Sequence, residues 1–131
     1  MATKTLPIFQ DIDLNFTQHP VRHDLVPLTD IDAIVASVRN LTSTNHYERP
    51  FHPEIGCNIR KLLFEPLSPF TAADIARFIQ ETLDNFEPRV IVKRIISEAN
   101  ADRNGYMVTL EFYVNVSSQL VSIQFLLERI R

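Results

Sequence analysis

The chain has 131 residues, a hydrophobic fraction of 45%, a charged fraction of 22% and a formal net charge of -3. That length and composition suit one domain with a single core and a flexible end, and they argue against disorder over the whole chain. The acidic balance leaves no positive excess to release counterions from a phosphate backbone, so nucleic acid is a poor partner.

Pro7, Pro20 and Pro27 fix backbone torsions and remove donors, and residues 1–28 therefore read as an extended arm. Within the arm Ile12, Leu14 and Phe16 alternate with Asp11, Asp13 and Asn15, which predicts a short strand with its apolar face on the core. The polar, proline-broken HPVRHD that follows is a surface connection. From Thr29 the period changes. Ile31, Ile34, Val35, Val38 and Leu41 share a helical face, with Thr29 and Asp32 at capping distance, and predict a helix over about 30–41. Pro50, Pro53 and Gly56 then make TSTNHYERPFHPEIG a turning segment without regular structure. A short helical turn with Ile59, Leu62 and Leu63 inward stops before Pro66 and Pro69.

The clearest helix opens at Thr71, a candidate cap with Asp74 three residues on, and carries Ile75, Phe78, Ile79, Leu83 and Phe86 in one stripe. Pro88 ends it, because the residue before a proline is pushed out of the helical region. The β-branched VIVKRIISEA, the turn signal NADRNG, and the alternation of Tyr106, Val108, Leu110, Phe112, Val114 and Val116 predict an antiparallel hairpin. Val121, Ile123, Phe125 and Leu127, alternating with Ser122, Gln124 and Glu128, add a third strand. The predicted fold is α+β: a small single domain with an extended arm over 1–28, then two main helices, a short one and a C-terminal three-stranded antiparallel sheet over 29–131.

Chemistry is sparse. His19, His23, His46 and His52 raise a metal site, but Pro20 keeps His19 and His23 off a shared helical face. Cys57 is the only cysteine, so neither an intramolecular disulfide nor a thiolate cage can form from this chain, and no cofactor is expected. His52 near Cys57 lacks an orienting third group, and Cys57 reads better as a small buried apolar residue. Glu54, Glu65, Asp74 and Glu87 could supply a glycosidase pair, yet any chain with 16 acidic residues does as much, and tryptophan is absent. With Gly56 and Gly105 the only glycines, there is no phosphate loop. No apolar run approaches the roughly 20 residues of a spanning helix, and the start lacks a basic region followed by an apolar stretch. A soluble product of a cytoplasm, without a membrane partner, is expected.

Glu87-Pro88-Arg89 stands apart, because an extended backbone at a helix-to-strand junction puts the first and third side chains on one side. Read as an exposed charge pair, it adds little to the isolated domain and is free to serve assembly.

Arg49-Pro50-Phe51 with Pro53, Glu54 and Gly56, then Leu63-Phe64-Glu65, then Glu87-Pro88-Arg89 follow in order. Together they resemble the Arg-Pro-Phe-x-Pro-Glu-x-Gly stretch, the Leu-Phe-Glu segment and the Glu-Pro-Arg motif of the contractile-tail baseplate wedge and sheath-initiator family, also called lysozyme-like baseplate proteins. The resemblance covers about residues 9–131 and is strongest over 49–90. It implies a non-catalytic adaptor in a phage tail baseplate that links wedge to sheath and starts sheath assembly. The implied partners are other wedge proteins and the tail sheath, with the tail tube or central hub beyond them. The implied location is the virion, after synthesis in the host cytoplasm. Glu87, Pro88 and Arg89 would meet the wedge core, and Val121, Ile123, Gln124 and Phe125 would form a sheath-contacting edge strand. An acid lysozyme-like glycosidase and the equivalent subunit of a type VI secretion or other tail-derived injection system are the alternatives.

Overall fold

The computed structural model describes residues 8–129. In chain order it has β1 (Gln10–Ile12), β2 (Pro27–Thr29), α1 (Asp30–Ser43), α2 (Ile59–Leu62), α3 (Pro69–Phe86), β3 (Val90–Asn100), β4 (Gly105–Val114) and β5 (Leu120–Glu128). The predicted α+β order is observed. Two compact units divide the chain between Ser37 and Val38, inside α1, so the described part of the arm shares its unit with the first half of that helix.

In the first unit β1 and β2 form an antiparallel pair, Asp11 opposite Leu28. The expected apolar face on the core is not there: Ile12, Leu14 and Phe16 are 58%, 62% and 64% exposed. The cause is Asp13. Its carboxylate accepts from the Asn15 N–H at 3.0 Å and the Thr17 hydroxyl at 2.9 Å, and its carbonyl accepts from the Phe16 N–H at 2.9 Å. A side chain that bonds the following backbone makes a turn and stops a strand. The period of two therefore ends at Ile12, and Leu14 and Phe16 belong to a turn.

Helix α1 begins where expected and runs two residues further, with Ala33, Ile34, Val38, Leu41 and Thr42 buried along one stripe. Thr29 is the last residue of β2, opposite Gln10, and it is the Asp30 carboxylate that receives the Ile8 and Phe9 N–H groups.

In the second unit α3 begins at Pro69, two residues before the expected start. Ser68 is the cap: its Oγ accepts from the Thr71 N–H at 3.1 Å, and Pro69 occupies the first helical position, where a missing N–H costs nothing. Thr71 is buried, as are Ala72, Ile75, Ile79, Thr82 and Leu83, whereas Phe78 and Phe86 lie at the margin of the stripe, half-buried. The sheet has the order β3-β4-β5, antiparallel throughout. On β4 the core-facing residues are Tyr106, Val108, Leu110, Phe112 and Val114, all buried. Lys93 is an extra residue between Val92 and Arg94, a bulge that restores the register of Ile95 opposite Leu110. Helix α3 packs against β3. Among the described residues no helix is long and apolar enough to cross a membrane.

Candidate interaction sites

The junction between α3 and β3 is built by Pro88. Glu87 leaves the helix at φ -128° and ψ 79°, still donating its N–H to the Leu83 carbonyl at 3.0 Å. The Arg89 carbonyl then accepts from the Asn115 N–H at 2.9 Å, which enters the chain into the sheet. The side chains of 87 and 89 do lie on one side. Arg89 donates from Nε to Oε1 at 2.6 Å and from Nη2 to Oε2 at 2.7 Å, a bidentate pair within the chain.

The expectation of an exposed pair is corrected here. The side chain of Glu87 is only 3% exposed and that of Arg89 32%. Removing a carboxylate from water is costly, and the forked guanidinium offsets that cost with two short charge-assisted bonds. The pair is thus a clamp on the helix-to-strand turn. What this junction presents outward is Pro88, which is exposed, and part of Arg89.

The second candidate is the outer edge of β5, which pairs with no further strand among the described residues. Val121, Ile123, Phe125 and Leu127 stand opposite Phe112, Leu110, Val108 and Tyr106, so they share the core face; Ile123 is buried and the other three are half-buried. Which backbone groups face outward follows from the ends of the ladder. Val114 N–H donates to Gln119 O at 3.2 Å and Arg129 N–H to Asn104 O at 2.9 Å. Hydrogen-bonded pairs alternate along an antiparallel ladder, so the odd-numbered residues of β5 bond to β4. The N–H and C=O groups of Leu120, Ser122, Gln124, Leu126 and Glu128 point to the free edge. Gln124 is exposed, and its Nε2 donates to Thr109 Oγ1 at 3.2 Å on the outer face.

The groups weighed for catalysis lie elsewhere. The Cys57 thiol is buried, and burial pushes its pKa up, the reverse of what a nucleophile needs. His52 Nδ1 lies 3.2 Å from Glu54 Oε1 on the surface. The backbone N–H of Glu54 and then the His52 ring hold the Glu54 carboxyl below the usual range, which unsuits it as a proton-donating acid. Glu87 is engaged by Arg89 through both oxygens. Among the described residues no cluster of His, Cys, Asp and Glu could hold a metal ion.

The segment over residues 42–56, expected to turn without regular structure, begins with the last residues of α1 and continues as a tied loop. Tyr47 N–H donates to Pro53 O at 2.9 Å, Cys57 N–H to Thr44 O at 2.7 Å, and the Glu48 carboxylate accepts from the Asn45 N–H and Nδ2 at 2.9 and 2.7 Å. Gly56, at φ +150°, has no room for a Cβ, which would fall 2.7 Å from the Asn45 carbonyl carbon. The only sequence signal for this closeness was the scarcity of glycine itself.

Among the described residues a three-stranded sheet packs against a long helix, with a clamped turn at their junction. Solved structures share this fold. The chain is similar to a tail-lysozyme crystal structure from Geobacter sulfurreducens, with a TM-score of 0.70 at 21% identity over 75% of this chain and 89% of that one. It is also similar to a chain of the anti-feeding prophage baseplate, with a TM-score of 0.65 at 19% identity over 94% and 87%. A third likeness, to a chain of the type VI secretion baseplate complex, has a TM-score of 0.56 at 16% identity over 72% and 91%. At these identities the likeness speaks for the fold. The family model for "Baseplate wedge protein gp25" matches residues 29–120, and the chain belongs to that family of structural baseplate components in contractile tails. The enterobacteria phage T4 protein of that name is 38% identical over 58 residues, a match that spans 44% of this chain and 44% of the T4 protein.

Proposed function

We propose that the chain is the wedge subunit of a phage tail baseplate on which the first sheath subunits assemble, a non-catalytic adaptor between wedge and sheath. The observation that carries this reading is the free edge of β5. Five residues there aim donors and acceptors outward at strand spacing, while the opposite edge of the strand is fixed to β4 in one register. An edge strand with a fixed register can set where an added strand begins as well as hold it. The sheath strand is the proposed addition, while Pro88 and the exposed part of Arg89 meet the neighbouring wedge core. Synthesis takes place in the host cytoplasm before incorporation.

Gln124→Pro tests the template. It removes one outward N–H and the side-chain bond to Thr109, and leaves the backbone bonds between β4 and β5 and the apolar face in place. Baseplates carrying it are expected to assemble and to fail in nucleating extended sheath. Electron microscopy that finds normal sheath on them, with the domain folded, removes β5 as the template.

The non-catalytic part of the reading is supported by the state of the candidate carboxylates: Glu54 lies on the surface with its pKa lowered, and Glu87 is clamped. Purified protein is expected to leave peptidoglycan intact at acidic and neutral pH. Turnover that vanishes on Glu54→Gln or Glu65→Gln would establish the glycosidase instead.

A further inference from the structure

Beside the tied loop lie two adjoining depressions of about 660 and 320 Å³ that share His46, Glu54 and Asn58. The larger is walled by Tyr47 and Phe64 and carries Arg60 and Lys61; the smaller reaches Phe78 and Phe86 on α3 and carries Glu81. Together they make one groove that runs from α2 to the end of α3, where Phe86 adjoins Glu87-Pro88-Arg89. Volumes of this size admit several side chains.

Three features give the groove a partner's shape. Tyr47 and Phe64 are 86% and 59% exposed, large apolar surface in a place where a lone domain gains nothing from it. Tyr47 and nearby Phe51 are held at φ 69° and 68°, a region that bulky residues avoid, and the bonds from the Tyr47 N–H to the Pro53 carbonyl and from Asn45 to the Glu48 carboxylate keep the loop in that form. Such strain is typical of surfaces organised in advance for a contact. The third feature is charge. One end has Arg60 and Lys61, of which Arg60 reaches Glu48 at 3.6 Å; the other has Glu81, while Glu54, tied to His52, lies in the part the two depressions share.

We infer that this groove docks a segment of a neighbouring baseplate protein with an apolar centre, a carboxylate at its Lys61 end and a cation at its Glu81 end. The opposed charges fix the direction of the segment, and its position beside the junction makes the groove continuous with the wedge contact at Pro88 and Arg89. This rests on the chain being a baseplate subunit and names a surface which that reading leaves unassigned.

The experiment complements cells that lack the gene with the full chain carrying Lys61→Glu, Glu81→Lys or Phe64→Ala, and measures the protein in purified baseplates and the thermal unfolding of each variant. All three positions are exposed, so melting is expected to stay at the wild-type value. Like charges set against the partner are expected to lower incorporation by more than about tenfold. Suppressors of Lys61→Glu should replace an acidic residue with a basic one in a neighbouring wedge protein. Incorporation of all three variants at the wild-type level, with wild-type melting, overturns the groove. Absence of the wild-type chain itself from baseplates overturns the baseplate reading instead, so the two failures are told apart.

Discussion

Arg89→Ala is expected to destabilise the isolated domain by about 3 kcal/mol, because it takes a bidentate guanidinium away from a buried carboxylate. Glu87 is 2% exposed, and the guanidinium that engages both its oxygens lies at 2.6 and 2.7 Å. For a chain of this size such a loss lowers the melting temperature by roughly 10 °C. The counter-variant separates charge from packing. Glu87→Gln in the Arg89→Ala background removes the buried charge and should recover a large part of the loss, whereas a merely structural gap left by the arginine stem would not recover. A melting temperature for Arg89→Ala within a degree of wild type would return the pair to the role of surface charges kept for assembly. The isolated domain is the right sample, because in a baseplate both effects lower yield.

Whether a segment was legible in the sequence turns on how local its cause is. The alternation over Tyr106–Val114 is set by one sheet with one buried face, so a period of two identified strand and core at once. The edge of β5 was legible for the same reason: its core face matches β4 residue by residue. Ser68 and Thr71 are both residue types that can cap, and Pro69, favoured at the first helical position, is the signal that points to Ser68. In the arm the apolar alternation of Ile12, Leu14 and Phe16 was true as a pattern and failed as structure, since a single aspartate two residues before an asparagine turned the chain.

The Glu87-Pro88-Arg89 geometry shows the limit most clearly. Spacing fixed that the two side chains share a side, and that was correct. It carried nothing about depth, nor about the bond from the distant Asn115 N–H to the Arg89 carbonyl that joins the turn to the sheet. The loop around Tyr47 was equally hidden, because its closure depends on pairings of specific carbonyls, such as Pro53 with Tyr47, that leave no periodic trace.

Tyr106→Ala is expected to have the largest effect of any single change here, about 4 kcal/mol, as it empties the bulkiest fully buried side chain of the core. The residue also joins two elements. Its hydroxyl lies 3.2 Å from the Ser68 N–H, from which it accepts, and 3.4 Å from the Pro66 carbonyl, to which it donates. Ser68 is the cap of α3, so the core of the sheet holds the start of the helix that covers it. Tyr106→Phe keeps the ring and removes only those bonds, leaving a part-buried donor and acceptor unmet at a cost of about 1–2 kcal/mol. The two variants thus divide the residue into packing and anchoring. In urea titrations both should shift the midpoint, the alanine variant by about two to four times as much, with the slope unchanged. A phenylalanine variant as stable as wild type would mean that water replaces the hydroxyl at Ser68, and α3 would then start from its own cap without help from the sheet.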